Sequence, residues 1–500
     1  MHKVSGPTDH VVVVGAGLAG LSAALHLRGS GREVTVVERG PHPGGLAGRA
    51  DVDGHHIDTG PTVLTMPELL DEAFGAVGEH LSDRLELLPM DPAYRAFFAD
   101  GSTLNVHTGQ AAMEEEIRDF AGPREADGYR RLRSWLTRLY EVERDRFIGG
   151  NFDSPLDLVG SDLARLTAMG GFGRLSRAVG RFLRDPRLQR VFSFQSLYAG
   201  VAPRHALAAY AVIAYMDTIA GVWFPRGGMR AVPSALADAA AAAGVRFRYD
   251  SPVEALELTG ERVTAVRTEH ERIGCDAVVL ATGPAEGERL LHQRPRRPVR
   301  LRWSPSAVVV HLSADRVSDR VAHHTISFGE AWESTFDEII HEGALMRDPS
   351  LLLTTPSLTD QALAPEGKHL QYLLAPCPNL ESGLQAWDVI GPRYAEELIG
   401  VVVRRGLIPD ESSVRQLSLV TPDDWARQGL AAGTPFSAAH TFAQTGPFRP
   451  RNLPCRTGNV VLAGSGTTPG VGIPPVLISG RLAAERITGQ RAPQQSPHAV

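Results

Sequence analysis

Residues 10–38, HVVVVGAGLAGLSAALHLRGSGREVTVVE, constrain this chain more than any other stretch. A β-branched run, Val11 to Val14, leads into Gly15-Ala16-Gly17-Leu18-Ala19-Gly20. A helical stretch follows to about Leu27, closed by Gly29 and Gly31. A second strand, Val34 to Val37, then ends on Glu38 and Arg39. The glycines have separate tasks. Gly15 permits the tight turn out of the strand, Gly17 lets backbone approach a pyrophosphate, and Gly20 with Ala24 lets the helix lie close to the sheet. The helix N-terminus offers free N–H groups and a positive dipole end to phosphate. Glu38 is placed to accept hydrogen bonds from both hydroxyls of an adenosine ribose, which argues against a 2′-phosphate and so against NADP.

A second glycine loop, Gly44-Gly45-Leu46-Ala47-Gly48-Arg49, follows shortly. It extends the cradle along the pyrophosphate and suits a long, extended flavin dinucleotide, FAD, better than NAD. Further nucleotide-type signals lie near Val253–Gly283, where Asp276-Ala-Val-Val-Leu-Ala-Thr-Gly283 reads as a strand ending in a small-residue turn. Asn459-Val-Val-Leu-Ala-Gly464 is another such strand. Gly470-Val-Gly472-Ile473-Pro474 then opens a helix over Val476 to Arg486. Its N-terminus points at whatever lies beyond Gly472, which in an FAD enzyme is the ring edge where negative charge builds on reduction.

Composition narrows the partners. A 500-residue chain predicts two or three domains. The net charge is −6 and acids outnumber bases, which speaks against nucleic acid, although all but two of the 51 basic residues (Lys3 and Lys368) are arginine. We read that bias as genomic. Cys275, Cys377 and Cys455 are far apart, and His55-His56 and His323-His324 lack a third ligand at metal spacing, so no metal is expected. The first strand leaves no room for a signal peptide, and the longest apolar run, Ala206 to Met216, is stopped by Asp217, so the expected location is cytoplasmic. Over residues 172–184 (FGRLSRAVGRFLR), Arg174, Arg177, Arg181 and Arg184 share one helical face, with Leu175, Val179 and Phe182 opposite. That is the pattern of a basic amphipathic helix lying in an anionic membrane surface, or of a surface helix with its apolar side in the core. Arg294, Arg296, Arg297, Arg300 and Arg302 form a second basic cluster at an expected domain crossing.

These motifs carry a likeness. Asp58-Thr-Gly60-Pro61-Thr62, Phe192-Ser-Phe194, Gly221-Val-Trp223-Phe224-Pro225-Arg226-Gly227-Gly228, Ala364-Pro365-Glu366-Gly367, Phe448-Arg449-Pro450 and Gly464-Ser-Gly466-Thr467-Thr468-Pro469-Gly470-Val-Gly472-Ile473-Pro474 occur in order. Over about residues 10–488 the chain resembles the carotenoid (phytoene) desaturases, within the FAD-dependent amine-oxidase-like superfamily. The resemblance implies an α/β fold: a Rossmann-like FAD-binding domain of amine-oxidase type (8–80, 222–295 and 425–492) with a discontinuous α+β substrate domain (81–221 and 296–424). The polar tail 493–500 reads as disordered.

It also implies a reaction: FAD-dependent desaturation of a linear carotenoid precursor such as phytoene toward lycopene. The partners are then an apolar isoprenoid, a membrane surface on its inner face, and a quinone or oxygen as electron acceptor. The family's proposed Asp with an Arg three residues on places the acid at Asp157, but the residue three on here is Gly160. Arg226 and Arg449 are candidate cations beside the flavin, and Trp223 and Phe224 candidate tunnel walls. Where the family carries His after the position of Thr467, this chain has Thr468. A carotenoid cis/trans isomerase, a later-step desaturase, an FAD amine oxidase and a flavin-bound carrier are the competing readings.

Overall fold

The computed structural model describes residues 2–292, 300–454 and 456–491. Arg294, Arg296, Arg297 and the tail 493–500 lie outside the described residues.

The sequence motif of residues 10–38 folds into the centre of a five-stranded sheet. Its order is Val460–Leu462, Ala277–Leu280, His10–Val14, Glu33–Val37, Arg246–Arg248, with every neighbouring pair parallel. A run such as Val11-Val12-Val13-Val14 suits this position because a parallel strand is covered on both faces. Period-two alternation then sorts the valines. Val11 and Val13 face a layer containing Leu21, Leu25, Leu236 and Leu477, from the helices Leu18–Gly29, Ala231–Ala242 and Ile473–Thr488. Val12 and Val14 face a three-stranded antiparallel sheet through Val253, Leu256, Val263 and Val266. Each fully buried valine contributes roughly 1.5–3 kcal/mol before conformational entropy is counted. The chain leaves His10–Val14 in one direction for Glu33–Val37 and meets Ala277–Leu280 on the other side. The crevice beyond these strand ends is where such sheets bind ligands.

A second, seven-stranded sheet takes its strands from the middle of the chain. Its order is Val414–Val420, Ser306–Ala314, His369–Cys377, Leu351–Thr354, His324–Ser327, Tyr94–Phe97, Thr103–Val106. In the central strand Val308, Val310 and Leu312 pack on the helix Trp387–Arg404 through Trp387, Tyr394 and Leu398, while Ala307 and Val309 face a large cavity. Two helices change to π turns where they meet that cavity: Pro123–Glu143 runs into Arg144–Ile148, and Ala211–Tyr215 into Met216–Ala220. Such turns re-aim side chains and are frequent at functional sites.

The basic segment differs from the amphipathic-helix expectation. Only Leu175–Gly180 is helical, and Asp185 caps a new helix, Pro186–Val191, with its side chain on the Arg187 N–H. Gly180 is a weak helix former, and the residue before Pro186 is disfavoured in helical geometry. Leu175, Val179 and Leu183 are buried in the same core as Leu132 and Leu136. The apolar side of this segment therefore faces the protein interior.

Candidate active site

One cavity of about 1570 Å³ joins the two sheets. That exceeds the ~300–1,000 Å³ typical of a small-ligand pocket. One end is built of glycine loops. Gly17 and Gly44 form a parallel bridge, and a Cβ on Gly45 would lie 3.2 Å from the Gly17 Cα, so the two loops meet at van der Waals distance. Glu38 takes the N–H of Ala16 on one oxygen at 2.7 Å and the N–H of Gly40 on the other at 2.9 Å. Each oxygen keeps a second lone pair for hydroxyl donors.

Two helix N-termini open into this cavity, those of Leu18–Gly29 and Ile473–Thr488. Neither has a side-chain cap or an acid in its first turn. The first therefore offers uncompensated N–H groups to a pyrophosphate beside Gly17; in the second Pro474 and Pro475 carry no N–H, so it offers the Ile473 N–H and its positive dipole end to an anionic ring edge beyond Gly472. This donor set fits FAD.

Of the residues expected to hold the cofactor, Gly15, Gly17, Leu18, Ala19, Glu38, Arg39, Gly44, Gly45, Leu46, Ala47, Gly60, Pro61, Thr62, Val253, Gly283, Gly464, Gly472 and Ile473 line the cavity. Ala16 and Gly20 do not. Ala16 is buried with its N–H committed to Glu38, and a Cβ on Gly20 would sit 2.0 Å from the Gly15 carbonyl oxygen. Gly20 is therefore a packing residue.

The three residues expected to do chemistry lie elsewhere. Asp157 is exposed outside the cavity wall, and its carboxylate accepts the N–H groups of Asp153 and Ser154 in a capping box, which holds it below the usual carboxylate range. Arg226 is exposed and pairs with Glu86 at 2.6 Å. Arg449 is buried, and its guanidinium donates to the carbonyls of Thr467, Ser465 and Ala438. It braces the loop that carries the C-terminal glycines. Trp223 and Phe224 are not in the wall either: Phe224 is core and packs edge-on against His323.

The structure instead brings together four polar side chains that motif reading missed. They line this cavity together with apolar walls that include Phe194, Leu197, Ile326, Phe328 and Phe336. Tyr210 Oη meets His440 Nδ1 at 3.0 Å and also contacts Thr445 Oγ1. Glu143, at the start of one π turn, has Oε1 buried without a hydrogen-bond partner, and burial pushes its carboxyl well above the ordinary range. Asp217, in the other π turn, is pushed up to about 7 by burial, against the lowering effect of the Gln195 amide. Burial and the Arg449 guanidinium hold His440 well below 6.5, so its ring is neutral. The one sequence signal for any of these was Asp217 breaking the longest apolar run.

The model for "Flavin containing amine oxidoreductase" matches residues 18–488. The chain is 62% identical to a phytoene dehydrogenase of Streptomyces griseus, covering 99% of each protein. It is 37% identical to a zeta-carotene-forming phytoene desaturase of Myxococcus xanthus, over 95% of this chain and 93% of the relative. A lycopene-forming phytoene desaturase of Pantoea ananas is 32% identical, over 94% and 97%. Among solved structures, an oxidoreductase from Methanosarcina mazei superposes with a TM-score of 0.62 at 15% identity, over 94% of this chain and 98% of that one. A putrescine oxidase gives 0.61 at 14%, over 97% and 100%. These two likenesses concern the fold alone. With the flavin-type cradle, the family match over nearly the whole chain and relatives at 62%, 37% and 32% identity, the chain belongs to the phytoene desaturase family of FAD-dependent, amine-oxidase-like oxidoreductases.

Proposed function

We propose that this chain desaturates phytoene, or an equally long acyclic carotene. The observation that carries the reading is the single cavity in which a dinucleotide cradle continues into an apolar chamber. Bound FAD supplies the redox chemistry, taking one hydrogen with both electrons of its C–H bond. The protein's part is to bind, orient and keep water out. The strand Ser306–Ala314 presents Ala307 and Val309, and the strand His369–Cys377 presents Leu374, as a flat apolar wall for a polyene. Glu143 and Asp217 are carboxyl groups lining the cavity, and the raised positions of both favour uncharged forms that an apolar guest tolerates.

Access from a membrane surface completes the reading. Leu156, Val159, Phe172, Phe442 and Phe448 are 43–76 % exposed, and Phe172, Phe442 and Phe448 also line the cavity. Arg174, Arg177 and Arg181 share a shallow groove with Phe172 and Phe442. We place the contact with an anionic inner leaflet at this mouth, with loop aromatics inserting and arginines meeting headgroups. No helix among the described residues is long and apolar enough to cross a membrane. A quinone dissolved in the same bilayer, or oxygen, is the proposed electron acceptor.

The test is expression in cells engineered to accumulate phytoene, with carotenoids separated by chromatography. The reading expects phytoene to be consumed and more unsaturated carotenes to appear. Unchanged phytoene, or altered cis/trans ratios without new double bonds, would overturn it. The product distribution also decides between the zeta-carotene-forming and lycopene-forming outcomes.

A further inference from the structure

Desaturation removes two hydrogens from neighbouring carbons. When one leaves with its electron pair, the other must leave as a proton, and a chamber of aliphatic and aromatic side chains has few groups to receive it. The residues expected to serve, Asp157 and Arg226, are outside the cavity, and Arg449 is committed to backbone carbonyls. Resting on the desaturase reading above, we propose that Tyr210 is the proton-accepting group of the reaction and that His440 behind it receives the tyrosine's own proton.

Three observations carry this. First, position. The Cε1–Nε2 edge of the His440 ring lies on Gly470, so closely that a Cβ there would fall 2.3 Å from Cε1 and 2.5 Å from Nε2. Gly470 is two residues before Gly472, the N-cap of the helix whose positive N-terminal end suits the flavin ring. The imidazole therefore sits at the ring end of the cavity. Second, access. Tyr210 is half-buried and His440 is 9% exposed; both line the cavity, and the His440 Nε2 is buried without a hydrogen-bond partner. The phenol is thus the more exposed member of a pair that both line the chamber. Third, wiring. Tyr210 Oη lies 3.0 Å from His440 Nδ1 and also contacts Thr445 Oγ1, so one hydroxyl is anchored by two side chains of the loop at 440–445. Burial keeps the Tyr210 hydroxyl protonated, against the lowering effect of the Arg449 guanidinium.

The proton steps balance. The substrate C–H bond breaks and its electron pair completes the new C=C bond. The proton forms an O–H bond on Tyr210 as the tyrosine's original proton forms an N–H bond on His440 Nδ1. A carbon next to an electron-deficient, polyene-stabilised centre is a strong acid, so a weak base suffices. Burial and Arg449 keep the imidazole neutral at rest, so in its Nε2–H tautomer Nδ1 has a lone pair to receive the proton.

The test uses the FAD-loaded enzyme with Tyr210→Phe and His440→Gln. FAD content and thermal stability are checked first, followed by anaerobic single-turnover flavin bleaching with phytoene in liposomes. The substrate is deuterated at either the proton-losing or the hydride-losing carbon. Tyr210→Phe is expected to slow bleaching on the order of 10²-fold or more. The isotope effect should move to the proton-losing carbon, with His440→Gln shifting it the same way. Nitrogen-15 NMR of histidine-labelled protein gives a readout apart from turnover: a neutral His440 ring whose Nδ1 resonance moves in Tyr210→Phe. Bleaching within threefold of wild type in both variants would overturn the assignment. So would slower bleaching with the isotope pattern unchanged, or a large loss confined to Asp217→Asn. If wild type itself is not bleached by phytoene, the desaturase reading fails instead.

Discussion

Glu38 shows how one side chain serves both fold and ligand. It bridges the first glycine loop at Ala16 and the turn at Gly40, and its remaining lone pairs suit ribose hydroxyls. Hydrogen bonds to a charged group are worth about 1.5–3 kcal/mol. Glu38→Ala should therefore weaken FAD binding about tenfold or more, measured by titrating FAD into the apoprotein. Asp217 allows a pH prediction. Its carboxyl titrates near 7 in the fold and near 3.8 when exposed. The folded state thus holds the extra proton between those values, and stability falls as pH rises through this window. Asp217→Asn removes the penalty, so its melting temperature should exceed that of wild type at pH 8 and converge with it toward pH 4. Glu38 was legible in sequence because its distance from Gly15 is a local property of one strand–helix–strand unit. Glu143, Tyr210, Asp217 and His440 were not, because they reach the chamber from three separated segments, around 143, 210–217 and 440, and no spacing rule relates those segments.

The helix Ile473–Thr488 is aimed by packing. A Cβ on Gly480 would lie 2.3 Å from the Ala19 carbonyl oxygen and 2.8 Å from the Ala23 nitrogen, both backbone atoms of the helix Leu18–Gly29. Ser22 Oγ donates to the Leu477 carbonyl at the same crossing. Gly480→Val should force the two helices apart and misplace both N-termini. We expect loss of copurifying FAD and a lower melting temperature, whereas retention of both would mean that the crossing does not position the site. The strands at residues 10–14, 33–37, 277–280 and 460–462 were readable because each carries its own apolar run. The segment 172–184 leaves two readings open in sequence because helical periodicity records which face is apolar but not what covers it. Gly180 and Pro186 broke the helix, and the core took Leu175, Val179 and Leu183.

For the whole molecule, one continuous cavity links a nucleotide cradle to an apolar chamber with an aromatic mouth. If the mouth is the membrane contact, Phe172→Asp with Phe442→Asp should abolish cosedimentation with anionic liposomes and leave FAD bound. Undiminished cosedimentation would place the contact elsewhere. Arginine abundance alone could not have located this surface, since many arginines are spent on ion pairs such as Arg226–Glu86 and Arg248–Glu271. The central claim, that the chain is an FAD enzyme removing hydrogens from phytoene, is tested most directly by anaerobic spectroscopy of the purified holoenzyme with phytoene-loaded liposomes. The account predicts that the flavin band bleaches as visible polyene bands appear in matching amount. A flavin band that phytoene leaves intact but an amine bleaches would contradict it.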